Sequence, residues 1–268
     1  MTFKELINKL RNEKPLIHAI TNPISINQCA NTAISLGALP IMAEHPEEVQ
    51  EITQTAKALL LNLGNITNVR MKSMLLSSQV ANKNKIPIVL DAVGVACSAL
   101  RRNFANKMLQ KTSFSAIKGN YSEIYALDNS DYTASGVDAE SFPCMNSIQK
   151  SAIRLARKYN TIILASGKED IITDGKRLFL LKNGHPRLSS VTGTGCMLGM
   201  MCAVFLSVHN NIQAVCMAAA MLGICGEQAS TFRGNGSFFT GLMDSISLLT
   251  DKDFENSLRM EEIRIEDI

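Results

Sequence analysis

The chain has 268 residues, 46% of them hydrophobic and 19% charged, with a formal net charge of +3. That balance supplies a sizeable core and excludes a disordered chain, and its scattered cations form no basic stripe, so nucleic acid is not an expected partner. Seven cysteines lie apart without a close CxxC pair, which argues against a zinc site or a disulfide framework and predicts reduced, mostly buried thiols in a cytoplasmic protein.

In chain order, residues 1–14 carry several charges and lack the apolar run of a signal peptide. The stretch from Ile17 to Pro23 reads as a strand entering a loop, with a helix from about Ser25. Residues 37–42 repeat the pattern of a short strand reaching an edge. Asn22 and Met42 would together offer one polar contact and an apolar surface, a common lining for a small heterocycle, although a methionine also serves as plain core filling.

Apolar runs at 58–62 and 86–90 are each followed by a helical pattern, at 68–82 and 96–109. A third run at 115–117 precedes a charged, turn-rich segment, and the polar stretch 128–141 reads as a surface loop. An amphipathic helix at 145–159, a β-branched strand at 161–165 and a hairpin over 170–181, turning at Asp174-Gly175, follow. The apolar stretches 196–208 and 214–226 read as buried core helices. Each is about 13 residues, short of the roughly 20 a membrane span needs, so no membrane is expected. Strands that are apolar throughout and alternate with helices predict a mostly parallel sheet covered on both faces. No repeat or linker divides the chain, which predicts a single domain over residues 1–268.

Four of these strands end in a polar residue close to a glycine: Asn62 before Gly64, Asp91 before Gly94, Lys118 before Gly119 and Ser166 before Gly167. Parallel sheets bind ligands at the carboxyl ends of their strands, where glycine lets backbone approach them. The pattern therefore predicts a polar ligand-binding rim.

The strongest local signal is Thr192-Gly193-Thr194-Gly195-Cys196, which follows the polar turn 183–190 and opens the apolar helix starting near Cys196. A glycine-rich turn at a helix start presents unpaired backbone N–H groups and the positive end of the helix dipole, a natural seat for phosphate or a transferring phosphoryl group. The same glycines would also serve close packing alone. Gly167-Lys168 is followed by Glu169, so there is no Walker A sequence, and Gly199 falls one place late for GxGxxG. Cys196 at the helix start could be a nucleophile, a base, a hydrogen-bond donor or an inert core thiol; His18, His45, His185 and His209 are all distant in sequence. Asp91 and Glu123 could bring carboxylates to a magnesium ion held mainly by nucleotide phosphates and water. Glu123 could equally cap a helix, and Asp91 could bond neighbouring backbone. Lys118 would meet phosphate as a point charge.

Taken together, Ile20-Thr-Asn-Pro23, Asn27-Gln-Cys-Ala-Asn31, Met42-Ala43, Asn62-Leu-Gly64, Leu90-Asp-Ala-Val-Gly-Val95, Lys118-Gly-Asn-Tyr-Ser-Glu-Ile124, Val191-Thr-Gly-Thr-Gly-Cys196, Ile224-Cys-Gly-Glu227 and Gly234-Asn-Gly-Ser-Phe238 follow one another in the order of a known family. The chain resembles the hydroxyethylthiazole kinases of the ribokinase-like superfamily over most of its length. The resemblance implies a three-layer α/β/α fold and ATP-dependent phosphorylation of the primary alcohol of 4-methyl-5-(2-hydroxyethyl)thiazole, with Mg²⁺, in thiamine salvage. It also implies a homotrimer with active sites between subunits.

Residue by residue, the resemblance makes Asn22, Met42, Gly64 and Gly193 contacts of the thiazole. It makes Lys118, Ser166 and Gly167 contacts of ATP, and puts Asp91 and Glu123 near the metal and phosphates. Gly193 and Gly195 would stabilise the transferring group, and Cys196 stands where sister kinases place an aspartate base. Lys118 replaces the usual arginine and cannot reproduce its bidentate grip, and Ser166 stands where threonine is common. Ala92 and Asn235 replace prolines of the family pattern. The readings left beside this one are another small-alcohol kinase or an ATP-dependent dehydratase of hydrated nicotinamide cofactor on the same scaffold, and a thiazole-binding protein without catalysis.

Overall fold

The computed structural model describes residues 1–132 and 144–268, so most of the surface loop expected at 128–141 lies outside the described residues. The first half contains α1 (Phe3–Glu13), β1 (Leu16–Ile20), α2 (Ile26–Ser35), β2 (Leu39–Ile41), α3 (Val49–Thr55), β3 (Ala58–Asn62), α4 (Asn68–Lys83), β4 (Ile88–Asp91), α5 (Ala99–Leu109), β5 (Ala116–Asn120) and α6 (Tyr121–Asp128). After it come α7 (Met145–Tyr159), β6 (Ile162–Ser166), β7 (Asp170–Thr173), β8 (Leu178–Leu181), α8 (Thr194–Leu206), α9 (Ile212–Ala229), α10 (Asn235–Leu248), α11 (Asp251–Ser257) and β9 (Met260–Ile263).

Among the described residues the strands form one sheet in the order β2-β1-β3-β4-β5-β6-β7-β8-β9. Pairing is parallel from β2 through β6 and antiparallel from β6 through β9. The strands divide their side chains by the two-residue period of extended chain. Ala58, Leu60, Val89 and Leu164 face a core built with α1, α2, α8, α9 and α10. Leu59, Leu61, Leu90 and Ile163 face the opposite core, built with α4, α5 and α7. Both faces of β3 and β4 are thus enclosed, which is why those strands are apolar at every position but their last. Fully enclosed aromatic anchors such as Phe205 and Phe238 each stabilise the fold by about 2–3 kcal/mol.

Helix starts follow local chemistry. Thr2 with Glu5 and Asn120 with Glu123 form capping boxes, while Thr67 and Ser98 cap α4 and α5. The Ser98 cap sets α5 to begin at Ala99, later than the apolar pattern suggested. The Asn120–Glu123 box builds α6 where the sequence reads as turn-rich. The α9 helix is 18 residues long and apolar enough to cross a membrane, yet 78% of it is buried inside the protein, as a core helix would be.

Candidate active site

The register of the parallel strands brings the rim residues together. Asn62, Asp91 and Lys118 are lateral neighbours on β3, β4 and β5. Their side chains bond in sequence: Asn62 Nδ2 donates to Asp91 Oδ2 at 2.6 Å, and Lys118 Nζ donates to Asp91 Oδ1 at 3.0 Å. Just past β1, Asn22 extends the row, donating from Nδ2 to Asn62 Oδ1 at 3.0 Å. Its Oδ1 accepts from the Ile24 and Ser25 amides, which fixes the turn into α2. Asn62 Oδ1 also accepts from Gly64 N at 2.8 Å, so the amide cannot flip without losing donors on one side and the Asp91 acceptor on the other.

The row is almost sealed: Asn62 and Asp91 are fully buried and Lys118 is 4% exposed. Burial pushes the Asp91 carboxyl up, against the pull of Lys118 and Asn62. Burial also works against the Lys118 charge, but Asp91 and Glu123 more than offset it and hold the ammonium above its ordinary range. With a 3.0 Å contact and a second donor on the same carboxylate, the pair stands as a buried ion pair.

The α8 helix ends on this row. Its first backbone bond runs from Met197 N to Gly193 O, so the amides of Thr194, Gly195 and Cys196 emerge from the helix end. Gly193 makes the turn with φ of 95°, a left-handed conformation natural to glycine. Two further glycines let the helix approach. A methyl on Gly195 would meet Lys118 Nζ at 3.3 Å, and one on Gly199 would meet Asp91 Oδ2 at 3.3 Å. Cys196 Sγ accepts from Asn22 Nδ2 at 3.3 Å and Asn62 Nδ2 at 3.4 Å. Among the described residues no histidine bonds to Cys196, as a cysteine–histidine hydrolase would need.

Glu123 lies next to this network and acts locally as the alternative sequence reading expected. Its Oε2 accepts from Asn120 N at 2.7 Å in the capping box, and its Oε1 accepts from Gly94 N at 2.7 Å. Met42, just beyond β2, packs against the same core cluster as Cys196. Gly64 faces Asn22 and Asn62 so closely that a methyl there would meet both at 2.9 Å.

On the far side of Gly195 opens a cleft of about 700 Å³, in the range that holds small ligands and cofactors. Ser166, Gly167 and Asp170 from the β6–β7 turn form one wall, the segment from Lys182 to Ser189 another, and Thr194, Gly195 and Leu198 of α8 the base. Burial pushes the Asp170 carboxyl up to about 7, although Gly167 N donates to it. The 182–189 wall is latched by Arg187, whose guanidinium donates to the Ser230, Phe232 and Gly234 carbonyls and lies over the Phe238 ring.

Of the residues singled out in the sequence, Asn22, Gly64, Asp91, Lys118, Glu123, Gly193, Gly195 and Cys196 converge on one locus, with Met42 at its edge. Ser166 and Gly167 belong to the cleft, and Gly195 borders both regions. Sequence reasoning missed Asn62 as a bridging side chain, Asp170, and the whole 182–189 wall, whose visible signal was only a polar turn ahead of the glycine loop.

The profile of the "Hydroxyethylthiazole kinase family" matches residues 7–252. Hydroxyethylthiazole kinase 2 of Clostridium botulinum (strain 657 / Type Ba4) is 43% identical over 252 residues, covering 92% of this chain and 95% of the relative. The solved hydroxyethylthiazole kinase of Pyrococcus horikoshii OT3 superposes with a TM-score of 0.88 at 30% identity, covering 97% of this chain and 98% of that one. A ribokinase-like superfamily protein of Enterococcus faecalis V583 superposes with a TM-score of 0.63 at 12% identity over 91% of this chain and 93% of its own, a likeness of fold.

Proposed function

The chain belongs to the hydroxyethylthiazole kinase family, and we propose that the α8 helix start is where it transfers phosphate. Its activity is the ATP-dependent phosphorylation of hydroxyethylthiazole for thiamine salvage. The observation that carries the site is the placement of Gly193–Cys196: one helix end touches the buried Lys118–Asp91 pair, the Asn22–Gly64 locus and the open cleft. The cleft takes ATP, with Ser166 and Gly167 at the phosphate end. The thiazole lies beside Asn22, Met42, Gly64 and Gly193, with its hydroxyl toward Cys196. All of these contacts come from one catalytic domain.

In-line transfer of the γ-phosphoryl group passes through a loose transition state whose charge spreads over the equatorial oxygens. The emergent amides of α8 and the ammonium of Lys118 behind Gly195 are fixed before reaction, so they stabilise that charge without reorganising. Such a transition state asks little of a base. Cys196, with its sulfur oriented by two amide donors, positions the alcohol and takes its proton late or weakly. Mg²⁺ would neutralise phosphate charge when bound. Of the two carboxylates, Glu123 fits it better: each of its oxygens accepts one backbone hydrogen bond and retains acceptor capacity. Asp91 is fully sealed and already paired with the Lys118 ammonium, so it fits charge balance for Lys118 better than direct ligation.

We also propose the homotrimer. Ile24 just before α2, Ile26 and Ile34 on α2, and Leu39 on the edge strand β2 leave large apolar side chains exposed beside the substrate locus. A subunit seated there would cover them. The unpaired cysteines suit a cytoplasmic enzyme. The deciding experiment incubates the protein with Mg·ATP and the thiazole alcohol and looks for the phosphate ester by mass. Absence of product while both ligands bind would overturn the assignment of this site.

A further inference from the structure

Two loops carry the ring contacts proposed above: the one after β2, with Met42, and the one after β3, with Gly64. Each is tied down by side chains from neighbouring elements. His18, fully buried on β1, contacts Ala43 O through Nε2 at 2.9 Å; a carbonyl only accepts, so that nitrogen carries the proton. Ser73 Oγ donates to Glu44 O at 2.7 Å. In the other loop Asn65 holds a left-handed backbone with φ of 45° directly after Gly64. Asparagine tolerates that region better than most residues, but something must hold it there.

One side chain reaches both loops. Arg70 stands in the first turn of α4, where its own amide donates to the Thr67 cap. Its guanidinium turns back, donating from Nε to Glu44 Oε2 at 2.6 Å and from Nη1 to Asn65 O at 2.7 Å. The arginine side chain is 10% exposed and Glu44 44% exposed, so the tie lies under the rim with its acid end at the surface. A guanidinium holds its donors in one rigid plane and can therefore fix the spacing of two acceptors; a lysine ammonium could not hold both in that geometry.

We infer that Arg70 is a positioning residue for the kinase reaction, setting the separation of the Met42 and Gly64 loops and so the width of the slot that takes the flat heterocycle. The inference rests on the proposed reading of Met42 and Gly64 as ring contacts. Arg70 has no part in the ATP cleft, whose walls come from other elements. Loosening it should therefore weaken binding of the ring while sparing the nucleotide and the chemical step.

Steady-state kinetics on Arg70→Met, Glu44→Gln, the double variant and Met42→Ala test this. Arg70→Met is expected to raise KM for the thiazole alcohol about tenfold, with kcat and KM for ATP within about twofold of the parent. Glu44→Gln, changed at its exposed end, should fold normally and raise the same KM about threefold, and the double variant should be no worse than Arg70→Met because both act through one tie. Equal losses in both KM values and kcat would mark a general structural role and overturn the inference. If Arg70→Met does not fold, Glu44→Gln decides: a selective rise supports the inference, and an unchanged KM overturns it. Met42→Ala separates the two ideas. If it leaves KM unchanged, the reading of the ring site falls and this inference with it; if it raises KM while Glu44→Gln and Arg70→Met do not, the Arg70 inference alone falls.

Discussion

On one side of the α8 helix start, Asn62 and Asp91 at the ends of β3 and β4 and Lys118 within β5 commit their polar side chains to each other. On the other, β6 ends and β7 begins beside open space. The Asn22–Asn62–Asp91–Lys118 side chains are nearly sealed and bonded to one another, and their key oxygens already accept hydrogen bonds. The cleft from Ser166 to Ser189 is open, although wall groups such as Asp170 and Asn183 are themselves hydrogen-bonded within the protein. The two regions share Gly195. A kinase needs both characters: a preorganised charge that does not move during transfer, and a space from which a nucleotide can leave. The closed side supplies fixed electrostatics, and the open side supplies exchange.

The contrast breaks most completely if the closed side loses one partner. Lys118→Met would leave Asp91 enclosed with Asn62 alone, and stranding a buried charge in this way costs about 3–5 kcal/mol. Denaturant unfolding should show that loss, and turnover should fall with it. A double variant, Lys118→Met with Asp91→Leu, should regain much of the stability and none of the activity. Recovery of both would mean that the pair is only structural.

The shared boundary comes next. Gly193→Ala would force an alanine to φ of 95° and displace the emergent amides; a loss of about a hundredfold in kcat is expected, comparable to removing oxyanion-hole donors. Cys196→Ser should cost about tenfold or less, since a positioned general base that mattered fully would contribute about a hundredfold or more. If the order were reversed, with Cys196→Ser nearly dead and substrate binding intact, the chemistry would belong to the side chain rather than to the backbone.

This division also marks how far the sequence could be read. Apolar strands with polar ends announced the parallel sheet, the rim and most of the residues that converge there, because period and strand ends are local properties. Which rim residues would be sealed was not local: Asn62, Asp91 and Lys118 meet only through the register of three strands far apart in the chain. The α6 helix hid in a segment that reads as charged and turn-rich because its apolar face is short, even though Glu123 read as a helix-cap candidate. The cleft wall at 182–189 carried no periodic pattern at all; it is held by Arg187 gripping carbonyls more than forty residues away. Identity of the substrate came from ordered family landmarks, and no single spacing could have supplied it.

The smallest expected effect sharpens the open side. Asp170 keeps partial exposure on the cleft wall while packed atoms surround its carboxyl, and burial pushes that carboxyl up to about 7. Below this value the group is neutral; above it an anion faces the space assigned to a triphosphate. KM for ATP should therefore rise a few-fold as pH passes upward through about 7, and Asp170→Asn should flatten that rise while leaving KM for the thiazole alcohol unchanged. The same sign governs stability. A carboxyl raised by burial contributes fully below the ordinary carboxylate range, and its contribution fades as pH climbs through about 7, so the parent should lose more stability than Asp170→Asn across that window. On the closed side the Lys118 ammonium does not titrate near neutrality, because the carboxylates beside it hold it above its ordinary range. A pH dependence of ATP binding that survives Asp170→Asn would place the titrating group elsewhere and remove the open wall's claim to it.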